Sequence, residues 1–280
     1  MPPDIWFYNL NIRINNMPRV AISLGNFNIY WYGILVMLGV LAGYAVAAAE
    51  AKRTNQDKNI YYDFVFLVVP MAILGGRLFF FIFSDIPISQ FFNLRTGGLA
   101  IFGVITASLI TAYFWCKRKN LNFLTFMDTA ILGLIIGHVI GRFGNFLNRE
   151  AFGSFTENIF ALRLRVDQLL YFPESLRDTI ITYNNIEYVQ VHPVFFYEAF
   201  LNLALFIFLM FYKKRKAFEG EILFIYFAWY GIVRSLLEPL RIDALMQGGI
   251  RVSMVSSIIM AITGIALIIY FRFFSKKKKV

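Results

Sequence analysis

Two stretches of the chain carry charged side chains at helical spacing inside otherwise apolar runs. The first is Gly141-Arg142-Phe143-Gly144-Asn145-Phe146-Leu147-Asn148-Arg149-Glu150. Arg142, Asn145 and Arg149 fall at i, i+3 and i+7, which places them on one helical face, with His138 one turn earlier. The second holds Tyr230, Arg234, Glu238 and Arg241 at i, i+4, i+8 and i+11, a continuous polar stripe just before and beyond Pro239. An arginine in hydrocarbon costs on the order of 3 kcal/mol or more, so it is kept where it meets a partner, a cavity or a ligand. Guanidinium groups stay charged and grip phosphate oxygens two at a time. Taken singly, Arg149 fits an arginine snorkelling from a helix end, and the second stripe fits a polar seam between packed helices. Taken together, the two stripes read as facing walls of a cavity for an anion.

Other polar residues sit in similar surroundings. Tyr32, in Trp31-Tyr32-Gly33, fits an aromatic belt at a membrane surface. Arg77 follows Gly75-Gly76, and Gly98 lies in Gly97-Gly98-Leu99-Ala100-Ile101-Phe102-Gly103, where glycines permit close backbone approach. Asp128 shares the apolar run of Arg142. His192-Pro193 opens a helix whose next turns bring Tyr197 and Glu198. Glu198 is either a structural ion-pair partner of Arg77 or Arg142 or part of the site, and His138 is either a satisfied buried polar group or functional. No His, Cys, Asp and Glu set has metal-ligand spacing, and there is no Ser-His-Asp arrangement and no phosphate-binding glycine loop. The single cysteine, Cys116, allows no internal disulfide. The expectation is a site without metal or soluble cofactor.

The elements that position these residues follow from composition. Of the 280 residues, 59% are hydrophobic and only 16% charged, against about 25% charged in soluble domains. Seven runs are long and apolar enough to span a bilayer, near residues 29–49, 61–83, 98–116, 123–147, 193–212, 221–238 and 253–273. The net charge of +10 would suggest a nucleic-acid partner in a soluble protein. Here all 11 lysines follow odd-numbered runs, which indicates topology and no nucleic acid. The fold expected is an all-α polytopic membrane protein with seven transmembrane helices, its N-terminus outside and its C-terminus cytoplasmic. Residues 1–28 form an aromatic-rich external arm, 29–149 helices one to four, 150–192 a small extracellular cap, 193–274 helices five to seven, and 275–280 a basic cytoplasmic tail facing anionic lipid. Nothing at the N-terminus resembles a cleavable signal. Gly133, Gly137 and Gly141 recur every four residues, so a neighbouring helix can approach closely.

That orientation sorts the polar residues by depth. Arg142 lies near the outer end of the fourth run, Arg234 to Arg241 at similar depth in the sixth, and Tyr32 and His192 at outer helix starts. A phosphate held there is most simply a phospholipid head group.

In this arrangement the chain resembles the bacterial prolipoprotein diacylglyceryl transferases. Gly141-Arg142-Phe143-Gly144-Asn145-Phe146-Leu147-Asn148 is similar to that family's signature, and Arg149-Glu150-Ala151-Phe152-Gly153 extends it. The likeness continues, in order, through Trp31-Tyr32-Gly33, Gly75-Gly76-Arg77, Gly97-Gly98-Leu99-Ala100-Ile101, His192-Pro193 with Tyr197-Glu198, and Tyr230-Gly231 with Arg234, Glu238 and Arg241. It implies an enzyme of the bacterial plasma membrane with its active site toward the outer leaflet. Such an enzyme transfers the diacylglyceryl group of phosphatidylglycerol to the lipobox cysteine of a prolipoprotein signal peptide. A thioether forms, glycerol 1-phosphate leaves, and no cofactor is used.

The resemblance assigns Arg142 and Arg234 to the charge growing on the leaving phosphate, Asn145 to the glycerol head or ester, and Glu238 to orienting Arg234 or Arg241. Tyr32 lines lipid access. Arg77, Gly98, Asn148, Gly153, His192, Tyr197, Glu198, Tyr230 and Arg241 are expected around the substrates. One position departs from the pattern: Phe102 stands where many members carry a histidine after the glycine pair, and it cannot take a proton. The thiol, with an ordinary pKa of about 8.5, would then lose its proton to His138, to Glu238, or through the field of the arginines alone; reduced or lost activity is the fourth account. The competing classes are a lipid or anion transporter using the arginine cavity and a head-group transferase with a non-protein acceptor. The first lacks the related halves that transporters often show.

Overall fold

The computed structural model describes residues 2–25, 27–82, 90–92, 98–242, 246–247 and 249–274. Gly97 and the basic tail with Lys276 to Lys279 lie outside the described residues. Among the described residues, seven α-helices run α1 Trp31–Arg53, α2 Lys58–Ile82, α3 Ile101–Arg118, α4 Phe123–Asn148, α5 Val194–Tyr212, α6 Glu221–Leu237 and α7 Val252–Ile269. Each lies within four residues of an apolar run at both ends. Six of them, all but α3, are long and apolar enough to cross a membrane. The protein is a polytopic helical membrane protein. Within α3, Ser108 and Thr111 turn their hydroxyls back on the Val104 and Ala107 carbonyls at 2.8 and 2.7 Å, which satisfies polar groups on an otherwise apolar helix.

The all-α expectation needs correction. Among the described residues, nine short strands lie between and before the helices: β1 Ile5–Phe7, β2 Ile12–Ile14, β3 Val20–Leu24, β4 Phe27–Tyr30, β5 Leu162–Arg165, β6 Ile180–Tyr183, β7 Ile186–Val191, β8 Met246–Gln247 and β9 Ile250–Arg251. Five of them form an antiparallel sheet in the order β2-β1-β5-β7-β6. The α4–α5 connection is therefore a β-structure completed by the N-terminal arm. The reason is legible in β5, where Leu162 and Leu164 alternate with Arg163 and Arg165: the leucines are fully buried and the arginines face outward. Asn184 and Asn185, both at positive φ, make the tight β6–β7 turn. Ile5, Phe152, Leu162, Leu164, Val189 and Val191 pack with Phe146 of α4 and Phe195 of α5, so the sheet is fixed to the ends of the two helices that carry the central charges.

The chain divides into two compact units, Met1–Gly43 with Leu134–Val280, and Tyr44–Gly133. In the first, α6 and α7 touch through glycines: a Cβ on Gly231 would lie 2.5 Å from the Ser257 carbonyl, and one on Gly264 2.6 Å from the Ala228 nitrogen. Gly39 of α1 meets Gly137 of α4 the same way, with a Cβ 3.0 Å from the Gly137 carbonyl, whereas Gly141 faces open space. In the second unit, Gly75 of α2 and Gly103 of α3 come backbone to backbone. Tyr61 stacks on Phe126 at 4.9 Å, and Gln56 joins Tyr61 to Thr129.

Candidate active site

Glu198, fully buried on α5, is the hub of the first unit's charges. Its Oε1 accepts from Arg234 Nη1 of α6 at 2.5 Å, its Oε2 pairs with Arg142 Nη2 of α4, and Arg241 Nη1 lies 3.7 Å from Oε1. A lone carboxylate in such a place would be very costly, and so would unpaired guanidiniums; the cluster persists because each compensates the other. Arg234 Nη2 also pairs with the fully buried Glu238 at 2.9 Å, one turn on. Among the described residues, three arginines thus face two carboxylates.

Arg142 is held on three sides. Its Nε donates to His138 Nε2 at 3.2 Å, its Nη1 to Asn145 Oδ1 at 3.3 Å, and its Nη2 meets Glu198. His138 rests against the Tyr230 ring at 5.4 Å, and Tyr226 stacks on Tyr230 at 5.5 Å. Asn145 in turn donates to Glu150 Oε1 at 2.9 Å, and Asn148 reaches the same oxygen at 3.3 Å. Tyr32 of α1 lies over Gly144, where a Cβ would come within 2.9 Å of its ring.

Arg149 does not join this face, and the expectation of one stripe from Arg142 through Arg149 is corrected. Helix α4 stops at Asn148. Arg149 takes φ +56°, its N–H donates to the Phe146 carbonyl, and the Glu150 N–H donates to the Asn145 carbonyl. These are the two bonds of a Schellman ending. The turn sends Arg149 away, to the Met17 carbonyl at 2.7 Å, and brings Glu150 to the two asparagines.

The remaining expected residues fall into two groups. His192, Tyr197 and Gly153 lie in the first unit. Asn158 Nδ2 links His192 Nδ1 at 3.2 Å to the Tyr197 hydroxyl at 3.0 Å. Gly153 donates its N–H to the His192 carbonyl at 2.8 Å and bridges to Arg241, with Ser154 N–H on the Leu240 carbonyl. Burial lowers the basicity of His192 below its ordinary value, which suits a neutral ring in this small network. Arg77 and Gly98 belong to the second unit, where buried Arg77 donates to the carbonyls of Phe91, Gln90 and Gly98 at 2.7, 2.6 and 3.1 Å. Phe102 lies on α3 in the same unit, 6.3 Å from the Phe79 ring. Three residues of the network were not picked out from sequence: Glu150, Tyr226 and Asn158. Tyr226 had a signal, being one turn before Tyr230; the other two depend on turns.

Gly153 allows a direct test of how tightly these pieces fit. A Cβ there would sit 2.7 Å from the Leu240 carbonyl and 2.8 Å from His192 and Val194. Backbone cannot yield as a side-chain tip can, so Gly153→Ala should lower stability by about 1–3 kcal/mol, read as a lower unfolding temperature of the detergent-solubilised protein.

Comparison with known proteins bears on this geometry. Residues 19–270 match the family described as prolipoprotein diacylglyceryl transferase. Over 261 residues, the chain is 38% identical to a phosphatidylglycerol–prolipoprotein diacylglyceryl transferase of Finegoldia magna, an alignment covering 91% of this chain and 96% of that protein. A protein of the same name from Bacillus cereus is 38% identical over 261 residues, covering 91% and 93%. Another from Bacillus mycoides is 37% identical over the same lengths.

Proposed function

The chain belongs to the prolipoprotein diacylglyceryl transferase family, and from that premise we propose how its residues perform the transfer. The enzyme moves the diacylglyceryl group of phosphatidylglycerol to a prolipoprotein, the first step of lipoprotein maturation. The acceptor in this reading is the lipobox cysteine of the signal peptide. Its sulfur bonds to the glyceryl carbon, the carbon–oxygen bond to phosphate breaks, and glycerol 1-phosphate leaves. The thiol proton leaves to water, and its positive charge is matched by the second negative charge that the phosphate acquires as it changes from diester to monoester.

The observation that carries this reading is the pair of guanidiniums, Arg142 and Arg234, held on opposite oxygens of Glu198. The negative charge on phosphate grows as the bond breaks. Donors fixed in advance at that point stabilise the transition state more than the diester, which is what accelerates a reaction. Each arginine keeps N–H bonds beyond those its protein partners use, since a guanidinium has five. Glu238 fixes Arg234 from its far side. Asn145, steadied by Glu150, is placed to hold the glycerol head, and Tyr32, Asn148, Tyr230 and Arg241 complete the surroundings.

His138 acts as a positioning residue for Arg142. With Nε2 accepting from the arginine, Nδ1 carries the ring hydrogen, so neither nitrogen offers a free lone pair to a thiol. The thiol is activated by the arginines themselves. His138→Gln keeps an acceptor for the Arg142 Nε–H and should retain transfer to within about tenfold, while His138→Leu falls further. An equal collapse in both variants, by the ~10²–10⁴-fold typical of a lost general base, would make His138 the base instead.

The lysine distribution supports all seven helices crossing a membrane, which the family membership makes a bacterial plasma membrane in this reading. The sheet and N-terminal arm then lie on the outer face, the tail in the cytoplasm and the site toward the outer leaflet. The reading is tested by mixing the purified protein with phosphatidylglycerol vesicles and a lipobox peptide. Glycerol phosphate should appear only with peptide, and the peptide should gain one diacylglyceryl mass. Lipid flux across vesicles with no release would favour a transporter.

A further inference from the structure

The charges gathered on Glu198 leave one arginine group unused. An open cleft of about 700 Å³ lies between the N-terminal arm and the turn after α4, lined by Asp4, Asn16, Met17, Arg19, Arg149 and Gln168 among others. Arg149 is only 2% exposed, and with Nη2 on the Met17 carbonyl its Nε has no hydrogen-bond partner among the described residues. The buried Nη2 of Arg19 is likewise without one, and so is Gln168 Oε1. Asp4, the only carboxylate on the wall among the described residues, is occupied elsewhere. Its Oδ2 takes the Met17 N–H at 3.0 Å, and its Oδ1 takes Gln168 Nε2 at 2.9 Å and Arg165 at 3.4 Å. That bond also fixes the Gln168 amide with its oxygen turned away from Asp4.

Buried guanidinium N–H groups without acceptors are costly, the more so because the group is charged. Burial and then the nearby Arg19 depress the Arg149 guanidinium below its ordinary value, and Asp4 and Asp167 offset this only in part. An oxyanion is the group whose acceptors would satisfy both guanidiniums. The free amide oxygen adds an acceptor suited to a hydroxyl. Two cationic donors with one acceptor match a phosphate carrying a hydroxylated substituent.

We propose that this cleft is a second phosphate site, separate from the Glu198 cluster, which takes a glycerophosphate group either as free glycerol phosphate or as the head of phosphatidylglycerol. The choice of glycerol as substituent rests on the transferase reading; the anion site itself does not. One turn joins the two sites. Arg149 at φ +56° and Ala151 at φ +54° flank Glu150, which holds Asn145 and Asn148. An anion drawn onto Arg149 therefore bears on the segment that steadies the glycerol-binding asparagine.

The test is equilibrium binding of glycerol 1-phosphate to the full-length protein in detergent, without acceptor peptide. A second arm uses nanodiscs containing phosphatidylglycerol with a photoactivatable head group, with cross-links mapped by mass spectrometry. Arg149→Gly suits the left-handed conformation better than arginine does, so it removes the guanidinium without straining the turn. Arg19→Gln serves as the independent variant, and Arg142→Lys perturbs the Glu198 cluster.

A saturable signal in the first arm that weakens at least tenfold in Arg149→Gly and in Arg19→Gln, and survives in Arg142→Lys, supports a site for the free product. The same dependence confined to the cross-linking arm supports a lipid head group. Binding in both arms that ignores Arg19 and Arg149, or that disappears with Arg142→Lys alone, overturns the second site. Arg19- and Arg149-dependent binding in a protein that releases no glycerol phosphate with peptide would leave the site standing and remove the transferase reading.

Discussion

Replacing Glu198 with glutamine is expected to damage the protein twice. The carboxylate is fully buried and meets Arg142, Arg234 and Arg241 from two neighbouring segments. Glutamine keeps the size and one acceptor oxygen but removes the charge, and its amide nitrogen turns N–H bonds toward a guanidinium. Breaking a buried ion pair on one side typically costs about 3–5 kcal/mol, because the partner charge remains without compensation. The detergent-solubilised variant should unfold at a clearly lower temperature. Transfer should fall by two orders of magnitude or more even below that temperature, because Arg142 and Arg234 lose the strut that spaces them. Adding a phosphate ester should restore part of the lost stability, since its charge can compensate the guanidiniums that glutamine leaves unpaired. A variant that melts like the parent and still releases glycerol phosphate would show that the arginines hold their positions without Glu198.

What the sequence made legible, and what it did not, follows from the range of the interactions. The helices were readable because apolar composition over about twenty residues is a local property, and α4, α5 and α6 end within one residue of the runs that predicted them. The approach of Arg142 to Arg234 was readable through topology, which sets depth without contacts. Glu198 as the hub was not: sequence left it between Arg77 and Arg142, and only packing of α5 against α4 and α6 selects Arg142 and adds Arg234. Arg149 failed for a different reason. Helical spacing was extended one residue past the helix, and a left-handed ending usually announces itself by glycine or asparagine at that place; arginine gives no such sign. The sheet was missed because its strands are short. The Leu162-Arg163-Leu164-Arg165 alternation covers four residues, and its partner β1, Ile5–Phe7, lies four helices earlier near the start of the chain. Among the evenly spaced glycines, Gly137 meets Gly39 and Gly141 meets nothing, so spacing marked the permissive face without saying which positions a neighbour would use.

The largest loss of transfer with the least structural damage is expected from Arg142→Lys, which separates charge from geometry. Lysine keeps the positive charge beside Glu198, so the buried carboxylate remains compensated and the unfolding temperature should change little. What lysine lacks is a planar fork. Arg142 reaches His138, Asn145 and Glu198 with three different nitrogens, and an ammonium concentrates its donors on one atom. It cannot stay on Glu198 and also present two parallel N–H bonds to a phosphate. Asn145 and His138 lose their donor, so the head-group side loosens as well. Removal of one fixed donor to a developing anion costs about 2.7–4 kcal/mol, or ~10²–10³-fold in turnover. That is the loss expected in kcat for glycerol phosphate release at saturating lipid, with KM for phosphatidylglycerol changing far less, since the ground-state diester still meets a cation. Arg234→Lys should behave alike, because Arg234 also divides its nitrogens between two carboxylates. The double variant should then fall short of the product of the two losses, as residues acting on one phosphate are not independent. If Arg142→Lys keeps turnover within about threefold, a point charge is enough at this position and the bidentate hold on the leaving phosphate is wrong; if KM rises while kcat stays, the arginine binds the lipid without favouring its transition state.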